Sequence, residues 1–165
     1  MDDLSNVELL QRLGLAILAG LLLGLEREWR RKPAGLRTHA LVAEGAALFM
    51  MGSLLLGEQM RAAGSTGYDP SRIGSTIVQG VGFIAGGVIL ARHGRISGLT
   101  TAVDIWVTAA IGMLIGSGFY FLAISATIVT VVVLGPLRIV ESRVTRSKAG
   151  SEVEEDEGQD DRNAK

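Results

Sequence analysis

The chain has 165 residues, of which 20% are charged and 48% belong to the hydrophobic set, with a formal net charge of −1 and a mean hydropathy of +0.36. That charged content is below the roughly 25% of a soluble domain, and the length allows one domain plus a tail. With no cysteine, a disulfide scaffold and a thiolate-ligated zinc or iron–sulfur centre are excluded.

A bilayer-spanning helix needs about 20 mostly apolar residues. Residues 7–25 supply the first, with Glu8, Gln11 and Arg12 near its start, where long side chains snorkel to the interface. A basic loop follows, with Arg27, Arg30, Arg31, Lys32 and Arg37 around Trp29. Residues 38–56 form the second span, with Glu44 its one charge, and residues 73–91 the third, with none. Residues 96–137 carry only Asp104. As one helix they would run about 63 Å, roughly twice the hydrocarbon core. Gly116-Ser117-Gly118 is the natural break, giving spans 99–115 and 119–137. The expected fold is therefore an all-α integral membrane protein, a five-transmembrane-helix bundle within residues 1–140. Residues 141–165 read as an acidic, disordered tail; from Ala149 onward, seven carboxylates face two cations. An outer-membrane barrel would need alternating segments of about 10 residues, which do not occur.

Lys and Arg placement sets the orientation. The first loop is strongly basic, the third carries Arg92 and Arg95, and Arg138, Arg143, Arg146 and Lys148 follow the last span. The second loop holds only Arg61 and Arg72, and the fourth holds none. The N-terminus is expected outside and the C-terminus in the cytoplasm. The start has no basic region of the kind that opens a cleavable signal peptide.

Small residues recur at four-residue spacing: Ala16, Gly20 and Gly24; Gly82 and Gly86, with Gly80 nearby; Gly112 and Gly116. In lipid such faces let helix backbones approach closely, within one chain or between copies in a homo-oligomer. Gly80-x-Gly82-x-x-Ala85 mimics a dinucleotide fingerprint, but no strand precedes it. The Arg27–Lys32 run reads as a positive-inside anchor and not as a nucleic-acid site.

Ionisable groups inside spans are costly unless paired or hydrated. Glu44 lies about 9 Å into the second span and Asp104 about 8 Å into the fourth, at similar depth. Glu26 closes the first span on the same side, with Thr38, His39, Thr100 and Thr101 near that depth. Glu26, Glu44 and Asp104 thus form a candidate polar pocket, with Arg27 or Arg37 as counter-ions. It is also the candidate Mg²⁺ site, since a few carboxylates plus retained waters suit that ion. His39 and His93 read as ordinary interfacial residues. No nucleophile–base pair is visible, so no enzyme is expected.

Four stretches in this order resemble the membrane domain of the bacterial MgtC/SapB family. They are Gly24-Leu25-Glu26-Arg27-Glu28-Trp29; Ala34-Gly35-Leu36-Arg37-Thr38-His39-Ala40-Leu41-Val42; Gly80-Val81-Gly82-Phe83-Ile84-Ala85-Gly86-Gly87; and Gly98-Leu99-Thr100-Thr101-Ala102, followed by Trp106 and Ala109-Ala110-Ile111-Gly112. The resemblance implies a multi-pass inner-membrane protein without enzymatic activity or a required cofactor. It links the chain to growth in low magnesium, acid tolerance and survival inside host cells, through restraint of another membrane complex such as the proton-driven ATP synthase. The family's polar positions match Glu26, Arg27, Arg37, Thr38, Thr100, Thr101 and Trp106. Long members add a soluble C-terminal domain, for which the stretch after residue 137 is too short, so the chain resembles the short members. Glu44 and Asp104 depart from the small or neutral residues expected there. The alternative expectation is a small oligomeric channel or transporter for Mg²⁺ or protons.

Overall fold

A helix whose outer surface is apolar must find its solvent in lipid, and its inner face must be small enough to let its neighbours in. The structure, a computed structural model, describes residues 5–65, 67–92 and 95–135. Among these residues are five helices: α1 (Asn6–Trp29), α2 (Leu36–Ala62), α3 (Ser71–Gly86), α4 (Leu99–Gly116) and α5 (Tyr120–Leu134). Two short strands, β1 (Leu90–Arg92) and β2 (Arg95–Ser97), pair antiparallel between α3 and α4, with Ala91 opposite Ile96. The chain divides into two units, residues 1–131 and 132–165. The first holds everything described below. Of the second, only the end of α5 and Gly135 are described, and the expected acidic tail lies outside the described residues.

Three helices, α1, α2 and α4, are long and apolar enough to cross a bilayer. Helix α3 departs from the expected span, and α5 is described over only part of its own. Helix α3 ends at Gly86, where Gly86-Gly87 weakens helix continuation, and the chain turns into β1 instead of reaching residue 91 as helix. Its 16 residues run about 24 Å, short of a hydrocarbon core of about 30 Å. Helix α5 is described over 15 residues, and the expected end at 137 lies outside the described residues.

Helix α4 is the centre. Its apolar window is 56% buried, against 33% for α1 and α2, and it packs on α1, α2 and α3. Its sequence explains this: Thr101, Asp104, Ile105, Thr108, Ile111, Gly112 and Ile115 recur at helical spacing on one side. One apolar cluster joins Ala16, Ala19 and Leu23 of α1, Ala43, Ala47 and Met51 of α2, Ile111 and Ile115 of α4, and Ala123 of α5. Ala46, Ile77 and Ala109 join α2, α3 and α4. The outer surfaces are apolar, with Leu18 and Leu22 on α1 and Phe121, Ile124 and Ile128 on α5 exposed.

Helix ends show how closely the chain follows local rules. Ser5 caps α1, its hydroxyl accepting from the Glu8 N–H at 3.2 Å. Helices α2 and α4 end in paired turns closed by Gly64 (φ +83°) and Gly118 (φ +83°). Helix α1 ends in the same double turn, with Lys32 N–H bonded to Arg27 O and Arg31 N–H to Glu28 O, but a non-glycine residue, Arg31, sits at φ 52°. The left-handed region costs an L-residue of this kind about 1 kcal/mol. Arg31→Gly is therefore expected to raise stability by about 0.5–1 kcal/mol in a denaturant titration of the reconstituted protein. In the α2–α3 loop, the Ser71 N–H donates to Asp69 Oδ1 at 2.9 Å. Hydrogen bonds from the Ser71 side chain and backbone hold the Asp69 carboxyl below the ordinary carboxylate pKa. A depressed value stabilises the α3 start above the ordinary pKa and loses that effect as pH falls through the lowered one. Hydrogen exchange at the Ser71 amide is expected to stay protected through mild acid and to open only in strong acid.

Candidate functional site

Close backbone contact at one end of the bundle draws three polar side chains into a buried junction. A Cβ at Gly20 would strike His39 O, and one at Gly24 would lie 2.6 Å from Leu36 Cα, so α1 rests directly on the start of α2. Arg27 lies three and seven residues beyond those glycines, on the same face of α1. It is therefore carried against α4 rather than into solvent, and is 3% exposed. Glu28 steadies the same corner by accepting the Leu36 N–H at 3.3 Å.

Asp104 of α4 is the hub. Its Oδ2 lies 2.9 Å from His39 Nε2 and 3.3 Å from Arg27 Nε. Arg27 Nη2 donates to Thr101 Oγ1 at 2.9 Å, and its Nη1 lies 3.8 Å from Glu26 Oε2. Glu26 in turn pairs with Arg30 one turn on. His39 Nδ1 lies 2.9 Å from Gly35 O, and Thr108 donates to Asp104 O at 2.8 Å. The His39 and Asp104 side chains are fully buried. Asp104 Oδ1 has no hydrogen-bond partner among the described residues. Burying two charges costs several kcal/mol each, which their attraction recovers only with good geometry. The junction thus ties α1, α2 and α4 to one arrangement more than it adds bulk stability.

A second buried cation sits at the opposite end of α4. Arg12 does not snorkel outward as expected, because the last carbonyls of α4 lack intrahelical partners and offer it a bond. Its Nη1 donates to Gly116 O at 2.7 Å and its Nη2 to Glu8 Oε1 at 2.5 Å. The Tyr120 ring centroid is 6.0 Å away.

The expected pocket residues therefore separate. Arg27, Thr101 and Asp104 meet, with Glu26 joined through Arg27. Glu44 is half-buried and makes no hydrogen bond or ion pair among the described residues. No group of three potential metal ligands occurs among those residues. Arg37, Thr100 and Trp106 are exposed, and Thr38 lines an apolar groove of about 740 Å³ between α2 and α3, beside Phe49, Ile77 and Ile84. Of the packing glycines, Gly20 and Gly24 meet α2, while Gly112 and Gly116 meet Ala43 and Ala47; Gly80, Gly82 and Gly86 have open space where a Cβ would be.

His39 corrects the interfacial reading: it is fully buried on Asp104. The missed signal is its spacing, since His39, Ala43, Ala46 and Ala47 form one small-residue stripe that faces a neighbouring helix. His93 lies outside the described residues. Chemically the junction pairs charges; among the described residues it contains no nucleophile with a base beside it.

Comparison with known proteins gives a consistent picture. The MgtC family profile matches residues 13–143. The putative magnesium transporter YhiD of Escherichia coli K12 is 52% identical over 129 residues, 78% of this chain and 60% of that protein. The uncharacterized protein slr0014 of Synechocystis is 44% identical, covering 76% of this chain and 50% of its own length. Protein MgtC of Salmonella typhimurium LT2 is 39% identical over 139 residues, 84% of this chain and 56% of that protein. The chain thus spans about half to three-fifths of these relatives. No solved structure matches it.

Proposed function

The chain belongs to the MgtC family, and from that premise we propose that it is a non-enzymatic, multi-pass protein of the bacterial inner membrane that acts on another membrane complex. The setting is adaptation to low magnesium, acid or life inside a host cell. The basic α1–α2 loop faces the cytoplasm in this reading, which puts the Arg27–Asp104–His39 junction in the inner leaflet. The ATP synthase is the first complex to test.

One observation carries the regulatory reading over transport. The two buried polar sites, Asp104 with its partners and Arg12 on Gly116, are about 18 Å apart along α4 by helix rise. Between them the α1–α2–α4 interior is filled by Leu23, Ala43, Ala47, Ile111 and Ile115. An ion path needs polar or hydrated lining along its length, and Thr108, the polar side chain buried on α4 between the two sites, is turned back onto Asp104 O. The alternative, an oligomeric conduit for Mg²⁺ or protons, draws on the buried carboxylates Asp104 and Glu26 and on the name of the E. coli relative.

Two measurements decide between them. Purified protein in liposomes is expected to leave Mg²⁺ and proton flux at the protein-free level, and capture from native membranes to recover one complex repeatedly. Flux that scales with protein and falls in Asp104→Asn would establish the conduit instead.

A further inference from the structure

Both ring nitrogens of His39 face oxygen. Nδ1 lies 2.9 Å from Gly35 O, a backbone carbonyl that also accepts the His39 backbone N–H at 3.1 Å and can only accept, so a hydrogen bond there requires the hydrogen on Nδ1. Nε2 lies 2.9 Å from Asp104 Oδ2. A neutral imidazole has one N–H and one lone pair. With its N–H committed to Gly35, neutral His39 would present a bare lone pair to an ionised carboxylate oxygen. Both side chains are fully buried, so water does not relieve that contact. We infer that the His39–Asp104 pair is a proton-binding site, holding one exchangeable proton between Nε2 and Oδ2 in addition to the hydrogen on Nδ1. Imidazolium with carboxylate and imidazole with carboxylic acid are two descriptions of that same proton, and it belongs to the pair.

The surroundings suit a bound proton. Arg27 of α1 contacts the same Oδ2 at 3.3 Å, and Glu26 stands 3.8 Å behind Arg27 with Arg30 on its far side. From α4 come only the neutral hydroxyls of Thr101 and Thr108. Around Ile105, α3 and the α1–α2 loop contribute apolar Ala85 and Ala34. With the proton bound, Glu26 balances the extra positive charge of the cluster. Asp104 Oδ1, which has no hydrogen-bond partner among the described residues, is cheaper to bury on a neutral acid or beside an imidazolium than on a carboxylate facing a lone pair. Loss of the proton sets α2 against α4 at this end of the bundle. The proton site does not depend on the regulatory reading, since a chain that touched no other complex would still hold it.

The test uses the full chain in lipid nanodiscs. The sequence has two histidines, so His93→Gln leaves His39 as the single ring signal. Ring ¹⁵N and carboxyl ¹³C spectra are recorded between pH 5 and 8. The expected result in the acid part of this range is a protonated Nδ1, with Nε2 either protonated or accepting from a neutral Asp104 acid. Neutral His39 with an ionised Asp104 throughout, in either tautomer, would overturn the assignment. Asp104→Asn supplies a complementary reading, because its amide N–H can donate to Nε2 without any titratable proton. Folded Asp104→Asn protein, checked by circular dichroism, is expected to release one proton fewer than the parent when the pH is raised in unbuffered solution. Equal release by the two would count against the site, and if the variant fails to fold the parent spectra decide alone.

Discussion

Asp104→Leu is expected to destabilise the bundle by about 3–5 kcal/mol, the range for removing one partner of a buried ion pair. The change leaves Arg27, 3% exposed, with only the Thr101 hydroxyl at hydrogen-bond distance. Glu26 remains 3.8 Å away but is already engaged by Arg30. It also leaves His39 Nε2 without a partner in a fully buried position. Arg61→Ala, on an exposed side chain at the end of α2, should stay within about 0.5 kcal/mol. The double change Arg27→Leu with Asp104→Leu should recover much of the loss, because it removes both buried charges together. Reversible denaturation in mixed micelles reads all four proteins on one scale. If Asp104→Leu and Arg61→Ala shift the midpoint equally, and equally affect growth in low magnesium, the junction holds nothing together.

How much of this was legible beforehand follows from where the information sits. The long apolar runs that became α1, α2 and α4 are visible because a bilayer demands length and low charge, and both are counted along the chain. The break at Gly116-Ser117-Gly118 is visible because left-handed turns favour glycine, and Gly118 adopts one. The end of α3 was harder. Val88-Ile89-Leu90-Ala91 is as apolar as a helix, and hydropathy alone does not separate a strand pair from a helix there. The meeting of Arg27 with Asp104 was half legible. Depth along each helix follows from residue count, and it placed both near one level. Rotation about each axis does not, which is why Glu44, at a similar computed depth, stands apart while His39 joins the junction. The small residues held the missing angle: Gly20 and Gly24 point α1 at α2, and Gly112 and Gly116 point α4 at α2.

That geometry yields the second large effect. A Cβ at Gly112 would strike Ala43 O and lie 2.9 Å from both Ala43 C and Cα, and one at Gly116 would lie 2.7 Å from Ala47 O. These obstacles are backbone atoms of a packed helix, so no side-chain rotation makes room. Gly112→Leu must push α4 away from α2, which opens the Ala43–Ala47–Ile111–Ile115 cluster and lengthens the His39–Asp104 contact on the same face. The expected cost is about 3 kcal/mol or more, at the upper end for overpacking. Gly82→Ala is the matched control: nothing lies within 4 Å of its added carbon, and alanine favours a helix over glycine by about 0.5–1 kcal/mol. Folded yield and denaturation midpoint should fall sharply for the first and hold or rise for the second. The reverse ranking would mean that the face bearing Gly82 is the tight seam, filled by another copy of the chain, and that the α2–α4 contact is the looser one. A homo-oligomer through α3 would then replace the intrachain α2–α4 interface as the element that sets the angle of α4, and with it the position of Asp104.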